Sequence, residues 1–585
     1  MQYKTEIDGI RAIAVLSVLL FHLNPTFLPG GFLGVDVFFV VSGFLMTKII
    51  VSEIQSDTLS YFTFMARRAL RIIPALALWI LISLLVGFVI LPPDDLMNLA
   101  ESALSASIFG SNFYFYANTG YFDAAAGNMA LLHTWSLGVE GQFYAVWPIL
   151  LMAIAVVGST PKLRKYQLGA VTIFFVGLVC YILLESSDPK AAFFFPFGRF
   201  CEFAAGAIAA TTSRPANEYL APKPNVATGI GISCIAVLMA YFYFLNELKS
   251  HPANDAIFVS VASGILLLVS NHSPPINALL SFPVARAIGK ISYSLYLAHW
   301  PVIVYFRHYS GAETLQAWEQ LMLLSVIFCV SFLSWKLVEI PFRTRPYGMK
   351  KTSISALVVA AISVVTGLTI YTAGWPSRLS DEIIPVANRN VMWKWQCPSE
   401  YDLGLYKGKT CVLGQPWESA KNHAILWGDS HALHYAPLLD ISARTSNTAI
   451  ALAYGCSPFI DNDIATRELT TKPNYSARCA EKRKDVLKVI HQRSEIKTVY
   501  LASFWSSLPK QLKSNRDSVP SQNGQIIMDL AFSTLVRNHS LNSKRIVILG
   551  EVPRASKNLL ECYRRSNDGC SENPVSWIIL PYQES

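Results

Sequence analysis

The sequence predicts a polytopic α-helical membrane protein of about 11 transmembrane helices, followed by an extracytoplasmic α/β domain. Three observations carry that prediction. Hydrophobic residues make up 52% of the 585 residues and charged residues only 15%, against roughly 25% charged in an ordinary soluble protein. Mean hydropathy is +0.36. The charge is also unevenly spread. Residues 1–374 hold 22 Lys/Arg and 19 Asp/Glu, about 11% of positions, whereas residues 375–585 hold 26 and 20, about 22%. Two solvents are implied, a bilayer for the first part and water for the second. This composition excludes a disordered or collagen-like chain, and a nucleic-acid-binding one despite the net charge of +9.

Apolar stretches of about 17–25 residues can cross a bilayer as helices. Eleven occur, near 10–28, 34–53, 72–91, 141–158, 167–185, 196–212, 226–246, 255–270, 284–306, 318–338 and 354–374. The first begins among Glu6, Asp8 and Arg11 with no small-residue cleavage site, and reads as a retained signal-anchor. Loops after even-numbered stretches hold 14 Lys/Arg; those after odd-numbered ones hold only Lys190, Lys249 and Arg307, and segment 92–140 holds none. Lysine and arginine resist translocation, so the N-terminus is expected in the cytoplasm and residues 375–585 outside.

Cysteines agree with that compartment. Cys180, Cys201, Cys234 and Cys329 are scattered through apolar stretches, where a small apolar filler is the simplest reading. The other six, Cys397, Cys411, Cys456, Cys479, Cys562 and Cys570, lie in the polar part. An even number in an exported domain suggests disulfides. The neighbour pairs 397–411, 456–479 and 562–570 are the simplest of the possible connectivities, and none has zinc-site spacing.

An ionisable side chain within a span is costly and marks a functional site by default. Arg11 and His22 lie eleven residues apart, on nearly one helix face and about 16 Å along the axis. Arg11 is expected at the cytoplasmic rim and His22 well inside the membrane, where a histidine can act as general base. A positive-inside arginine and a hydrogen-bonded core histidine are the alternative. Asp36 lies near the outer start of the second stretch, in Gly-Val-Asp-Val-Phe-Phe-Val-Val-Ser-Gly at 34–43. Arg67, Arg68 and Arg71 form an Arg-Arg-x-x-Arg cluster suited to phosphate, or to plain topology signalling. Glu140 follows Trp-Ser-Leu-Gly-Val, Arg199 and Glu202 are spaced to pair, and His299 sits in Ser-Tyr-Ser-Leu-Tyr-Leu-Ala-His-Trp-Pro. Glu339 and Arg343 close the tenth stretch.

These segments occur in the order found in the membrane-bound acyltransferase-3 family, which the chain resembles over residues 1–345. The resemblance implies transfer of acyl groups, usually acetyl from acetyl-CoA, to hydroxyls of extracytoplasmic sugars. It gives His22 the essential histidine role with Arg11 assisting, and sets Arg67, Arg68 and Arg71 against the CoA phosphates. One departure is Gly141, where the family often carries a second acid after the glutamate. Residues 346–395 then read as a final span and linker.

Residues 396–585 form the extracytoplasmic domain. Ala-Ile-Leu-Trp-Gly-Asp-Ser at 424–430 is a strand running into a helix start, which exposes the Ser430 hydroxyl near backbone N–H donors. Asp-Ser is equally a common helix cap. Further strands near 448–454, 498–503 and 545–550, with helical patterns between, predict a parallel sheet, and Gly455 offers another oxyanion N–H. The region around 420–555 resembles the SGNH hydrolase-like domain fused to some acyltransferase-3 proteins. It lacks the usual oxyanion Asn at 501–506 and the Asp-x-x-His block that supplies the base. His431 points elsewhere; His434, one turn on, and the distant His539 are the other histidines considered. The domain is therefore expected to be incomplete at its C-terminal end, or to bind glycan without completing transfer.

The functional expectation is a bacterial inner-membrane O-acetyltransferase that takes acetyl from acetyl-CoA and acts on a polysaccharide or lipid-linked glycan. Lipopolysaccharide O-antigen is the leading acceptor and peptidoglycan its alternative. Membrane lipid is the surrounding partner; no metal and no nucleic acid are expected. A transporter without acyl chemistry and a membrane-anchored carbohydrate esterase are the rival classes.

Overall fold

The structure, a computed structural model, describes residues 4–118, 128–156, 162–245, 252–310, 315–344, 349–378, 395–406, 408–459, 464–466, 475–505, 512–514, 533–535, 541 and 543–550. It divides into two compact units, the first within Met1–Arg389 and the second within Asn390–Ser556. Among the described residues the first holds helices and no strand. Its helices are α1 (Thr5–Leu23), α2 (Gly34–Gln55), α3 (Tyr61–Ile90), α4 (Pro93–Ser107), α5 (Ser111–Asn118), α6 (Trp135–Val156), α7 (Lys162–Ser187) and α8 (Pro189–Phe194). They continue as α9 (Pro196–Leu220), α10 (Pro224–Phe244), α11 (Pro252–Val269), α12 (Pro274–Leu280), α13 (Pro283–Ser310), α14 (Ala317–Ser334), α15 (Ile340–Thr344) and α16 (Met349–Tyr371).

A helix stands at each of the eleven predicted positions. Seven of the described helices are long and apolar enough to cross a membrane, or eight if α11 and α12, bent by 111°, count as one span. Helices α1, α9 and α13 fall outside that set: α1 carries Glu6, Asp8 and Arg11 in one window, and α9 and α13 combine buried Arg199, Glu202 and His299 with many weakly apolar residues. Hydropathy alone therefore supports fewer than eleven.

Polar residues also displaced the predicted helix starts. Helix α1 opens at Thr5, with Glu6 and Asp8 favourably placed against the helix dipole. Arg11 thus sits in its second turn and His22 is its penultimate residue. Helix α3 opens at Tyr61, its Ser60 cap accepting from the Thr63 N–H, and so places Arg67, Arg68 and Arg71 within a helix. Helices α2 and α9 pack at backbone contact. A Cβ at Gly43 would overlap the Phe203 carbonyl, and one at Gly206 the Val40 carbonyl, so only glycine allows this crossing.

The second unit holds a six-stranded sheet in the order β1 (Ser399–Tyr401), β2 (Thr410–Gly414), β4 (Thr448–Tyr454), β3 (Asn422–Gly428), β6 (Ile496–Ala502), β8 (Arg545–Leu549). A separate antiparallel pair is formed by β5 (Ile464–Thr466) and β7 (Leu512–Ser514). Strands β3, β4, β6 and β8 are parallel, as expected, but β1 and β2 run antiparallel to their neighbours. The sheet is mixed. β1 is three residues long, and the apolar run of β2, Cys-Val-Leu, is interrupted by Gly414 and too short to show periodicity. Helices α17 (Ser430–Thr445) and α18 (Tyr475–Gln492) are the main helices of this unit. Disulfides join Cys397 to Cys411 and Cys456 to Cys479; the pair 562–570 lies outside the described residues. Cys180, Cys201, Cys234 and Cys329 are free.

Candidate active site

The end of α1 brings His22 against His299 of α13, with Nδ1 of His22 3.0 Å from Nε2 of His299. Both are buried, 9% and 1% exposed. The Nδ1 of His299 lies 2.6 Å from the Tyr296 carbonyl, which can only accept. A neutral His299 therefore donates from Nδ1 and accepts at Nε2. His22 must then donate from Nδ1, and its basic lone pair is on Nε2. The Arg307 guanidinium donates to the His22 carbonyl at 3.0 Å, and the Trp300 ring packs 4.6 Å from the imidazole. This fixes one tautomer and one ring orientation.

A third histidine joins them. His133, in the turn Leu132–Thr134, is 2% exposed and meets the His299 ring edge-on at 5.7 Å. Neither of its ring nitrogens has a hydrogen-bond partner among the described residues. An unsatisfied buried polar group costs about 1–3 kcal/mol. The sequence reading passed over this residue; its place just before Trp135-Ser-Leu was the available signal.

Arg11 does not join His22. It pairs with Asp8 at 3.7 Å and lines a cavity of about 80 Å³. At roughly 10–15 Å³ per water centre, that space holds several waters or a small acyl group. Arg71 lines the same cavity, with Glu140, Tyr144, Ser42 and Tyr296. Glu140 accepts from the Ser42 and Tyr144 hydroxyls. Ser136 and Tyr296 exchange a hydrogen bond of 2.6 Å, and the Tyr296 hydroxyl reaches the His133 carbonyl at 2.8 Å. The cavity wall is therefore tied to the histidine cluster.

The arginine cluster is split. Arg67 pairs with Glu53 at 2.7 Å and Arg68 lies over the Phe64 ring at 5.7 Å, so Arg71 is the member that lines the cavity. The three share one side of α3, as helical spacing requires, but only Arg71 faces the cavity, Arg67 being held by Glu53 and Arg68 lying over Phe64. Arg199 pairs with Glu202 at 2.8 Å, as its spacing predicted, and also with Asp36 at 2.9 Å. Its guanidinium lies over Trp135, Tyr181 and Phe193 and donates to the Phe193 carbonyl. This trio locks α2 to α9. Glu339 accepts from Ser294 at 2.9 Å and pairs with Arg343 at 3.6 Å.

In the second unit Ser430 opens α17 with its side chain exposed. Asp429 caps that helix through the His431 N–H and also accepts from Ser503 Oγ at 2.6 Å and Phe504 N at 2.9 Å. It organises the strand ends around Ser430. The Gly455 N–H donates to the Gly428 carbonyl at 2.9 Å, which corrects its expected oxyanion role: the donor is committed to closing the turn. His431 stacks on Phe504 at 5.1 Å. His434 is exposed, and burial together with His431 lowers its imidazole below the usual value. Among the described residues no histidine hydrogen-bonds Ser430 Oγ. His539 lies outside them. The described residues include no group able to hold a metal ion.

An acyltransferase-domain family model matches residues 4–336, and a model of SGNH domains fused to such domains matches residues 396–578. The chain is 27% identical over 402 residues to the peptidoglycan O-acetyltransferase OatA of Listeria monocytogenes, covering 65% of this chain and 64% of that protein. It is 30% identical over 382 residues to the O-acetyltransferase OatA of Staphylococcus aureus strain NCTC 8325, covering 63% of each. The chain thus spans less than two thirds of the length of these relatives. No solved structure matches it. With the acyltransferase model alone covering more than half of its length, the chain belongs to the acyltransferase-3 family.

Proposed function

We propose that the chain is an acetyl-CoA-dependent O-acetyltransferase that modifies a hydroxyl of an extracytoplasmic polysaccharide. The observation that carries this reading is the His22–His299 pair, whose fixed tautomer sets a base at His22 Nε2. In the proposed orientation the Arg11 and Arg71 end of the bundle faces the cytoplasm and the His22 end faces outward, in agreement with the distribution of loop charge. The CoA phosphates meet Arg71, and the extended pantetheine arm carries the thioester toward the histidines. The sugar oxygen bonds the acetyl carbon, the carbon–sulfur bond breaks, and His22 Nε2 takes the hydroxyl proton and returns it to the departing thiolate.

The relatives favour peptidoglycan as the acceptor over lipopolysaccharide O-antigen, because the Listeria protein is named for it. The second unit presents the glycan, and Ser430 has no base positioned among the described residues. A transporter without acyl chemistry leaves the tautomer-fixed histidine pair without a task.

The split of the arginine cluster tests the donor side. In proteoliposomes, Arg71→Ala is expected to raise the KM for acetyl-CoA about 10-fold or more, the loss of a charge-assisted hydrogen bond worth about 1.5–3 kcal/mol. Arg67→Ala removes a partly exposed pair worth about 0–1 kcal/mol and should leave that KM within about threefold. Equal effects from the two variants, or no release of CoA thiol by the unsubstituted protein, would contradict the reading.

A further inference from the structure

The cavity lined by Arg11 and Arg71 stops short of the histidines. Its wall includes Tyr296 and Ser136, but none of His22, His133 and His299 lines it. Tyr296 stands between the two. It is 6% exposed, and its ring meets Phe38 of the cavity wall edge-on at 6.2 Å, His133 at 5.5 Å and His299 at 5.4 Å. His299 follows it on α13 by less than one turn, a rise of about 4.5 Å. One side chain thus separates the donor space from the place where the base is held.

The ring is held there by its hydroxyl. Tyr296 Oη donates to the His133 carbonyl at 2.8 Å and lies 2.6 Å from Ser136 Oγ. Each hydroxyl has one proton, so Ser136 donates to Tyr296 while Tyr296 donates to the carbonyl. Two neutral hydrogen bonds can hold a side chain in one position and still yield to a ligand that enters the cavity. The helix beneath is loosened at the same level. Pro301 lies inside α13 and has no N–H for the Leu297 carbonyl one turn back, which puts a weak point directly after Tyr296. Ser292, one turn before Tyr296 on the same helix face, also lines the cavity. Its buried hydroxyl has no partner among the described residues and is open to an entering polar group.

We propose that Tyr296 is a gate between the donor cavity and the histidines. Latched to Ser136 and the His133 carbonyl, its ring closes the cavity; a donor arm that fills the cavity displaces the ring and opens the way to His22. This rests on the acetyl-transfer reading above and adds to it how the thioester is kept from water. With the gate shut, water in the cavity does not meet the base. With the latch removed, a water oxygen bonds the acetyl carbon, the carbon–sulfur bond breaks, one proton passes to the thiolate, and the acetic acid formed ionises to acetate.

Two readouts on the full chain test the gate, and the first needs no catalysis. In sealed vesicles carrying His22→Cys, a small anionic methanethiosulfonate is supplied on the face bearing Arg71. It should label the introduced thiol at least fivefold faster when Tyr296→Phe is added, measured over the labelling of the native cysteines alone. An unchanged rate overturns the gate. If Tyr296→Phe does not fold, Ser136→Ala, which removes the latch and keeps the ring, decides in the same way. In the second readout His22 is intact and acetyl-CoA is given without an acceptor. Tyr296→Phe should then release acetate at least fivefold faster than the unsubstituted protein, whereas a merely structural defect would slow release. A rate that does not rise overturns the gate. Absence of any thiol release or acetyl transfer by the unsubstituted protein would instead count against the acetyl-transfer reading, and the labelling rates would still decide the gate.

Discussion

His22→Ala should reduce glycan acetylation by about 10²–10⁴-fold, the range for losing a positioned general base, while the protein still accumulates in the membrane. The expectation follows from the tautomer: the Tyr296 carbonyl fixes His299, His299 fixes His22, and the lone pair of a neutral His22 is then on Nε2. His299→Ala should cost less, because the base survives and only its tautomer and orientation are released. It should also change the pH dependence of the rate, which a purely structural substitution would not do. Glycan acetyl content in cells carrying each variant measures the first effect, and kinetics in proteoliposomes the second. Full acetylation by His22→Ala would remove the proposed base.

Arg199→Met should destabilise the helical unit by about 3–5 kcal/mol, the cost of stripping one partner from a buried ion pair. Arg199 is 4% exposed and bonds both Asp36 and Glu202, which are 4% and 0% exposed. Without the guanidinium, two carboxylates share a site ringed by Trp135, Tyr181 and Phe193. Replacing all three at once, with Asp36→Asn and Glu202→Gln, should recover much of the loss, because no charge is then stranded. Thermal unfolding in detergent checks both. A single variant as stable as the parent would show that α2 and α9 are held by their glycine crossing alone.

Much of the architecture was legible because bilayer and water impose different compositions. The eleven stretches lie on helices, and the parallel strands β3, β4, β6 and β8 fall where apolar runs predicted them. What escaped was decided by tertiary contacts. Helix α1 reaches back to Thr5 because Glu6, Asp8 and Arg11 are buried by neighbours, which no hydropathy window registers. Arg199 and Glu202 could be paired from helical spacing, but Asp36, 163 positions from Arg199, could not. His22 and His299 were each singled out, yet their contact across 277 residues, and the tautomer it dictates, required the fold. His133 was missed because a histidine without a charged neighbour in sequence gives little sign that its ring nitrogens will be buried without partners. Strands β1 and β2 were missed because their apolar runs are no longer than three residues. Gly455 was misassigned because the N–H that a strand-end glycine offers was already committed to Gly428.

The central claim is that acetyl enters at the Arg71 end of the bundle and leaves on a sugar at the His22 end. Its most direct measurement is sidedness. The full chain is reconstituted in sealed vesicles, acetyl-labelled acetyl-CoA is supplied on the face bearing Arg71, and soluble peptidoglycan tetrasaccharide on the other. Label should appear on the sugar as a base-labile ester in the opposite compartment, with CoA thiol released on the donor side in equal amount. Thiol release with no labelled sugar across the membrane, or labelled sugar only on the donor side, would contradict it.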